Sequence, residues 1–299
     1  MYEAFYGFNE KPFSLLPDPG FLFLSSKHLQ ALSMMEYGLM NQAGFTVITG
    51  EIGSGKTTLV RQLLKQLELD HTTTVGLVSN THQSFGELLQ WVLLAFKLEY
   101  RGKEKVELYQ TLANFIAREY NQGHRTVLII DEAQNLGFEA LEELRMLANI
   151  NADKDQVLQL MLIGQPGLRD KLRLPELEQF AQRIAADFHI QPLDLQETCE
   201  YIRHRISLCG GDPDIFESSA SIVVHYYSRG IPRMINVLCD TALVCGFAEQ
   251  RKTISADLIH DVARDKAIGG ILPVTYEKDD DSNVVHDLLA AKRSNSTTK

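Results

Sequence analysis

Gly50, Gly55, Lys56 and Thr57 belong to the segment Gly50-Glu51-Ile52-Gly53-Ser54-Gly55-Lys56-Thr57, a G-x-x-x-x-G-K-[ST] spacing. Residue types in this order can hold a polyphosphate. Glycines let the backbone curl until successive N–H groups point inward at phosphate oxygens. A helix opening just after them adds unpaired N–H groups and the positive end of its dipole. Lys56 can then reach the β- and γ-phosphates of a nucleotide, and the Thr57 hydroxyl can ligate Mg²⁺. The candidate nucleotide-binding residues are Gly50 to Thr57 and Thr58, the next position of the helix.

A second chemical group lies some 75 residues on. Asp131 and Glu132 end the run Arg125-Thr126-Val127-Leu128-Ile129-Ile130. Four consecutive aliphatics predict a parallel strand buried on both faces. Open α/β sheets bind ligands at the carboxyl ends of their strands. There Asp131 can hold Mg²⁺ through water, opposite Thr57. Glu132 can polarise the water that attacks a γ-phosphate. A further apolar run, Val157–Ile163, ends at Gly164-Gln165-Pro166. Gln165 is placed either to sense the γ-phosphate and orient the water or to serve as a turn residue.

The elements that must position these groups follow from periodicity. Phe45-Thr46-Val47-Ile48-Thr49 predicts a short buried strand feeding the glycine-rich loop, and Thr58 to about Leu69 continues a helix. Val75–Ser79 reads as the next strand, Ser84–Phe96 and Glu104–Tyr120 as apolar-faced helices, Glu139–Ala148 as a helix and Ala186–Ile190 as a short strand. This alternation over 45–194 predicts a three-layer αβα core with a parallel sheet. From Asp194 the pattern changes. Residues 195–208, 215–228, 232–249 and 255–267 read as four helices with no strand between them, a small all-helical domain over 195–268.

Residues 1–44 are expected to be an arm and a helix. Phe5-Tyr6-Gly7-Phe8, Pro12-Phe13, Pro17-Asp18-Pro19 and Phe21-Leu22-Phe23-Leu24 make the first part aromatic and proline-rich. Proline at this density forbids a continuous helix. The aromatics are expected to pack on the domain that follows, as a clasp or as a cover for adenine. Ser25 or Ser26 then caps a helix to about residue 42. Residues 269–299, with Asp279-Asp280-Asp281 and a Ser-Asn-Ser-Thr-Thr-Lys end, read as a polar, disordered tail with one short helix at 284–291.

Composition narrows the classes. The chain has 299 residues, 44% of them hydrophobic and 23% charged, which suits a globular protein with a sizeable core. Its net charge of −10 gives no global footprint for nucleic acid. The absence of a run of about 18 apolar residues predicts no membrane span. The start, Met1-Tyr2-Glu3-Ala4-Phe5-Tyr6, does not read as a signal peptide, so a cytoplasmic location is expected. Cys199, Cys209, Cys239 and Cys245 lack metal-site spacing and are expected to be buried, reduced thiols.

The order of glycine-rich loop, paired acids, strand-end glutamine and helical lid resembles the AAA+ ATPases, a P-loop NTPase class. More narrowly the chain resembles the ExeA/GspA type, which includes MshM-like pilus proteins and ATPases linked to exosortase loci. The residues that carry this are Phe5-Tyr6-Gly7-Phe8, Pro12-Phe13, Pro17-Asp18-Pro19, Glu36-Tyr37-Gly38-Leu39, Asp131-Glu132-Ala133-Gln134-Asn135-Leu136, Leu160–Leu168 and Gly230-Ile231-Pro232-Arg233. The resemblance implies ATP as substrate, with Mg²⁺. It also implies two arginine roles that spacing does not. Arg183 matches an arginine finger acting on a neighbouring subunit's γ-phosphate, with Arg145 the weaker rival, and Arg233 matches a second sensor in the lid. It implies a homo-oligomer, a ring or filament with a hexamer as one form, and a protein partner in a secretion, pilus or exopolysaccharide system. That partner could hold the protein at the inner membrane. Transposition ATPases of the TniB/TnsC type share the core motifs, so a DNA-binding regulator is the alternative. ExeA-type proteins usually continue into a membrane span and a peptidoglycan-binding domain. This sequence ends in a polar tail, so direct cell-wall anchoring is not expected and the short members fit better.

Overall fold

The computed structural model describes residues 1–70, 72–79, 88–152 and 155–270. Two compact units divide the chain. One holds Ser26–Glu51 and Lys56–Gln191, the other Met1–Ser25, Ile52–Gly55 and the chain from Pro192.

The first unit is built on five parallel strands, β1 (Phe45–Gly50), β2 (Thr73–Val78), β3 (Arg125–Ile130), β4 (Leu158–Gly164) and β5 (Ile184–Ile190), in the order β2-β3-β4-β1-β5. β1 and β4 are buried along their whole length, and in β3 only Arg125 is not. That burial explains why their sequences are near-continuous aliphatic runs rather than alternating ones. Fully burying each such aliphatic side chain contributes roughly 1.5–3 kcal/mol.

The expected helices are present with modest shifts of their ends. α2 (Ser26–Met40), α3 (Lys56–Leu67), α4 (Leu88–Ala95), α5 (Lys105–Asn121) and α6 (Phe138–Leu147) alternate with the strands. The reading of a helix from Ser84 falls partly on residues outside the described ones. Phe45 and Val47 of β1, Leu128 and Ile130 of β3 and Leu160 and Leu162 of β4 share one core with Leu93 of α4, Leu112 of α5 and Leu144 of α6. Alternation sends Thr46 the other way, under α2. A Cβ on Gly38 of α2 would lie 2.1 Å from Thr46 Oγ1, so only glycine allows helix and sheet to approach there. Two short helices, α7 (Pro166–Leu172) and α8 (Glu178–Ala181), escaped the sequence reading. They are too brief to show a helical period.

The second unit contains α9 (Leu195–Leu208), α10 (Ser218–Ser228), α11 (Pro232–Ala248) and α12 (Ala256–Gly269). α9 begins at a reciprocal cap: Glu197 N donates to Asp194 Oδ1 at 2.8 Å, and Asp194 N donates to Glu197 Oε2 at 3.1 Å. α10 starts three residues later than expected because Phe216 instead bridges Ile254 as a short extended pair. Cys209 and Cys239 are buried free thiols, while Cys199 and Cys245 are only partly covered.

The expectation for the aromatic arm needs correction. The arm completes the core of the C-terminal helices rather than one built from the residues next to it in sequence. Tyr2, Tyr6, Phe8, Phe13 and Phe21 are buried with Tyr201, Ile202, Val223, Leu238 and Ile259. The arm also supplies acceptors. Arg205 of α9 is 6% exposed. It donates to the Pro12 carbonyl at 2.6 Å and the Ser14 carbonyl at 3.3 Å, and lies over the Phe21 ring at 4.4 Å. A buried guanidinium needs such partners, and the proline-rich arm, with few helical bonds of its own, has carbonyls to offer. A short helix, α1 (Glu3–Tyr6), and a 3₁₀ turn at Pro19–Phe21 interrupt the arm. The disorder and the helix expected in the tail lie, beyond Gly270, outside the described residues.

One glycine holds this unit closed. Gly230 has φ +71°, and a Cβ there would sit 1.9 Å from the Leu193 carbonyl oxygen. The two backbones are bonded, Leu193 N to Gly230 O, at 2.9 Å. Gly230→Ala should therefore destabilise the helical unit by more than about 2 kcal/mol, from left-handed strain plus the clash. A urea titration followed by circular dichroism checks this, and an unchanged midpoint would contradict it.

Candidate nucleotide site

The chemistry converges at the carboxyl ends of β3, β4 and β1, which are neighbours in the sheet. β1 ends at Gly50, and α3 begins at Lys56. In the loop between them Gly53 has φ +82° and Gly55 φ +94°. These left-handed values are costly for any residue with a Cβ and turn backbone N–H groups to one side.

Lys56 is buried, and its Nζ donates to the carbonyls of Gly50 and Glu51, both at 2.8 Å. An ammonium has three donors, and two are used in folding the loop back on itself. Burial lowers the Lys56 pKa, and the charges of Glu132, Asp131 and Glu51 pull against that shift. Asp131 is buried too, and burial raises its pKa; bonds from Glu132 N and Thr57 oppose the shift. A buried cation and a buried anion here each sit in surroundings that disfavour charge, as at sites built for a charged ligand.

Thr57 Oγ1 donates to Asp131 Oδ2 at 3.0 Å. Glu132 N donates to Asp131 Oδ1 at 2.9 Å. A hydroxyl and a carboxylate this close form a pair of hard oxygen donors of the kind that suits Mg²⁺ completed by phosphate and water. The residues thus fit the ion that the spacing implies. Thr58 follows in the first turn of α3 and is half-buried.

Glu132 has φ +55°, a left-handed conformation unusual for a side chain with a Cβ. Its Oε2 accepts from Gln165 Nε2 at 3.1 Å and from Gln134 Nε2 at 2.5 Å. Gln165 is the N-cap of α7. The structure therefore brings Lys56, Thr57, Asp131, Glu132 and Gln165 together. It adds Gln134, which the sequence reading quoted within Asp131–Leu136 but gave no role. Its signal was weak: an amide two residues beyond a strand-end acid, in a short turn with no period.

The two arginines stand apart from these five side chains, Arg233 beside the loop tip and Arg183 at the other end of the sheet. Arg233 is in the first turn of α11, and its backbone N donates to Gly53 O at 3.2 Å. A Cβ on Gly53 would come within 2.4 Å of the Arg233 Cβ, so the loop tip must be glycine here for steric reasons as well as for φ. The Arg233 side chain is exposed. Arg183 precedes β5 and donates to the Arg145 carbonyl at 3.2 Å and to Asn149 Oδ1 at 2.5 Å. Its neighbour Ile184 pairs with Phe45, whereas Gly50 pairs with Ile190. Arg183 is thus at the amino end of the sheet, about 17 Å of strand from the loop in its own chain.

Residues 39–172 match the model of an AAA domain. The chain is 39% identical over 260 residues to general secretion pathway protein A of Aeromonas hydrophila, covering 86% of this chain and 47% of that protein. It spans about half the length of that relative. Among solved structures, Cdc6p from Pyrobaculum aerophilum superposes with a TM-score of 0.66 at 15% identity, over 85% of this chain and 70% of that one. The Aeropyrum pernix ORC2 protein in its ADP form gives 0.61 at 18% identity, over 89% and 75%. At that identity the two structures establish the fold alone. No helix among the described residues is long and apolar enough to cross a membrane.

Proposed function

On the premise that the chain is an AAA-type P-loop protein related to general secretion pathway protein A, we propose that it hydrolyses ATP to drive assembly of a secretion, pilus or envelope-polysaccharide system. The observation that carries the hydrolytic reading is the Thr57–Asp131 bond with Glu132 one residue on. A protein that only held nucleotide would need the loop and Lys56 but not a base set beside them.

The loop N–H groups and Lys56 hold the β- and γ-phosphates. Thr57 and Asp131 would hold Mg²⁺, which would supply positive charge to the phosphate oxygens. Glu132 accepts the proton of the attacking water, and Gln165 orients that water or senses the γ-phosphate. Arg183 completes the site of a neighbouring copy in a ring or filament, adding positive charge where the transition state is negative. Arg233 carries the state of the nucleotide to the helical unit. The relative's name supports a role in a secretion apparatus. We place the protein partner there, reached at the cytoplasmic face of the inner membrane. A net charge of −10 offers nothing in support of a DNA-coating role.

Lys56→Ala tests the reading at its base. Loss of a buried cation from a triphosphate should weaken ATP binding by roughly a hundredfold, about 3 kcal/mol, measured by equilibrium titration with a fluorescent ATP analogue. Wild-type affinity in the variant would remove the phosphate cradle from the account.

A further inference from the structure

We propose that Gln134 is a positioning residue that holds the Glu132 carboxylate in its working orientation and ties it to the start of α7. The proposal rests on the reading of Glu132 as the base for ATP hydrolysis.

The amide of Gln134 is used at both ends. Nε2 donates to Glu132 Oε2 at 2.5 Å, and Oε1 accepts from Gln165 N at 2.9 Å. Chemistry fixes this sense. Turned over, the amide would set its oxygen against a carboxylate and its NH₂ against a backbone N–H. The bridge therefore links the base to the backbone of the residue whose own Nε2 reaches the same Oε2 at 3.1 Å. With Oε2 engaged twice, the plane of the carboxylate is set.

The turn that carries Gln134 is itself held. Residues Ala133–Asn135 form a 3₁₀ turn, and Ala133 is fully buried. Lys171 of α7 donates through Nζ to the Gln134 carbonyl at 2.8 Å and to the Leu136 carbonyl at 2.5 Å. On the facing strand end, a Cβ on Gly164 would stand 3.0 Å from Gln134 Oε1 and 2.8 Å from Leu168 Cδ2, so glycine leaves room for the amide. The left-handed φ of Glu132 adds to the case. Such a conformation persists when its surroundings over-determine it, and here they are Gln134, Gln165 and α7. A displacement of α7 relative to β3 would reach the base through one side-chain amide.

Steady-state ATPase kinetics with Mg²⁺ on the full chain test this, with Gln134→Ala made in the wild type and in Glu132→Gln. A side chain acting through Glu132 should lower kcat about tenfold in the wild type, leave KM within about twofold, and lower kcat by less than about twofold once Glu132 is already lost. Gln134→Glu, the isosteric variant, covers the case in which the alanine variant does not fold. It replaces a donor to Glu132 Oε2 with a second carboxylate, so kcat should fall at least as far as in the alanine variant, and the loss should again shrink to less than about twofold in Glu132→Gln, which a purely structural defect would not do. Wild-type kcat in both Gln134 variants, or equal fractional losses in both backgrounds, would overturn the proposal while an inactive Glu132→Gln left the ATPase reading intact. Wild-type turnover in Glu132→Gln would instead overturn that reading and this proposal with it.

Discussion

Glu132→Gln should bind ATP within about threefold of the wild-type affinity and lose turnover by roughly 10²- to 10⁴-fold, the usual contribution of a positioned general base. The substitution keeps volume and planarity. An amide oxygen in place of Oε2 still accepts from Gln134 and Gln165, so the network that orients the side chain survives. What is removed is proton affinity at the atom facing the water. Asp131, Thr57 and Lys56, the proposed contacts to nucleotide and metal, are untouched. Binding by a fluorescent analogue and phosphate release measured on the same preparation separate the two quantities. A Glu132→Gln variant that hydrolyses at the wild-type rate would show that the base lies elsewhere. Joint loss of binding and rate would show that Glu132 supports the loop rather than the chemistry.

The legibility of this site in the sequence follows its chemistry. Lys56, Thr57, Asp131 and Glu132 could be read because each is tied to a local pattern. A glycine spacing must sit between a strand and a helix, and an aliphatic run must end in acids. Such patterns fix a side chain's place within a few residues of backbone. The sheet could be read for a related reason: strands buried on both faces leave long aliphatic runs, as in Thr126–Ile130 and Leu158–Ile163. Gln134 could not be assigned because its role depends on Gln165, which is distant in sequence and close only once β3 and β4 pair. The aromatic arm was misplaced for the same reason. Its burial was evident from composition, but its partners, Tyr201 to Ile259, are far downstream. Composition states that a surface must be covered without naming what covers it. Arg205 illustrates this: as a sequence position it is one more helix arginine, and only its bonds to the Pro12 and Ser14 carbonyls show why the arm returns to α9.

Arg183→Ala should reduce turnover by about 10³-fold or more while nucleotide affinity stays near that of the wild type, the effect expected of an arginine that stabilises transition-state charge. The position of the residue means that any γ-phosphate it serves belongs to a neighbouring copy. Arg183 sits beside Ile184, paired with Phe45 at the amino end of β1, and the phosphate loop leaves from Gly50 at the other end. No side chain spans that distance. Its present partners are an amide oxygen and a backbone carbonyl, neutral groups it can leave. Arg145 is the lesser candidate because its Nε is paired with Glu142 Oε2 at 2.7 Å. Beside Arg145, whose carbonyl Arg183 bonds, α6 exposes Met146. A head-to-tail interface joins unlike faces and so closes a ring or extends a filament. Mixing then gives a sharp result. Arg183→Ala keeps a complete loop and lacks the finger, while Lys56→Ala keeps the finger and lacks the loop. Each alone should be inactive. In a random one-to-one mixture, an Arg183→Ala loop faces a Lys56→Ala finger at half times half of the interfaces, so about a quarter of wild-type activity should return. Recovery absent while light scattering shows intact mixed oligomers would place the missing positive charge on another residue, with Arg145 the next to substitute.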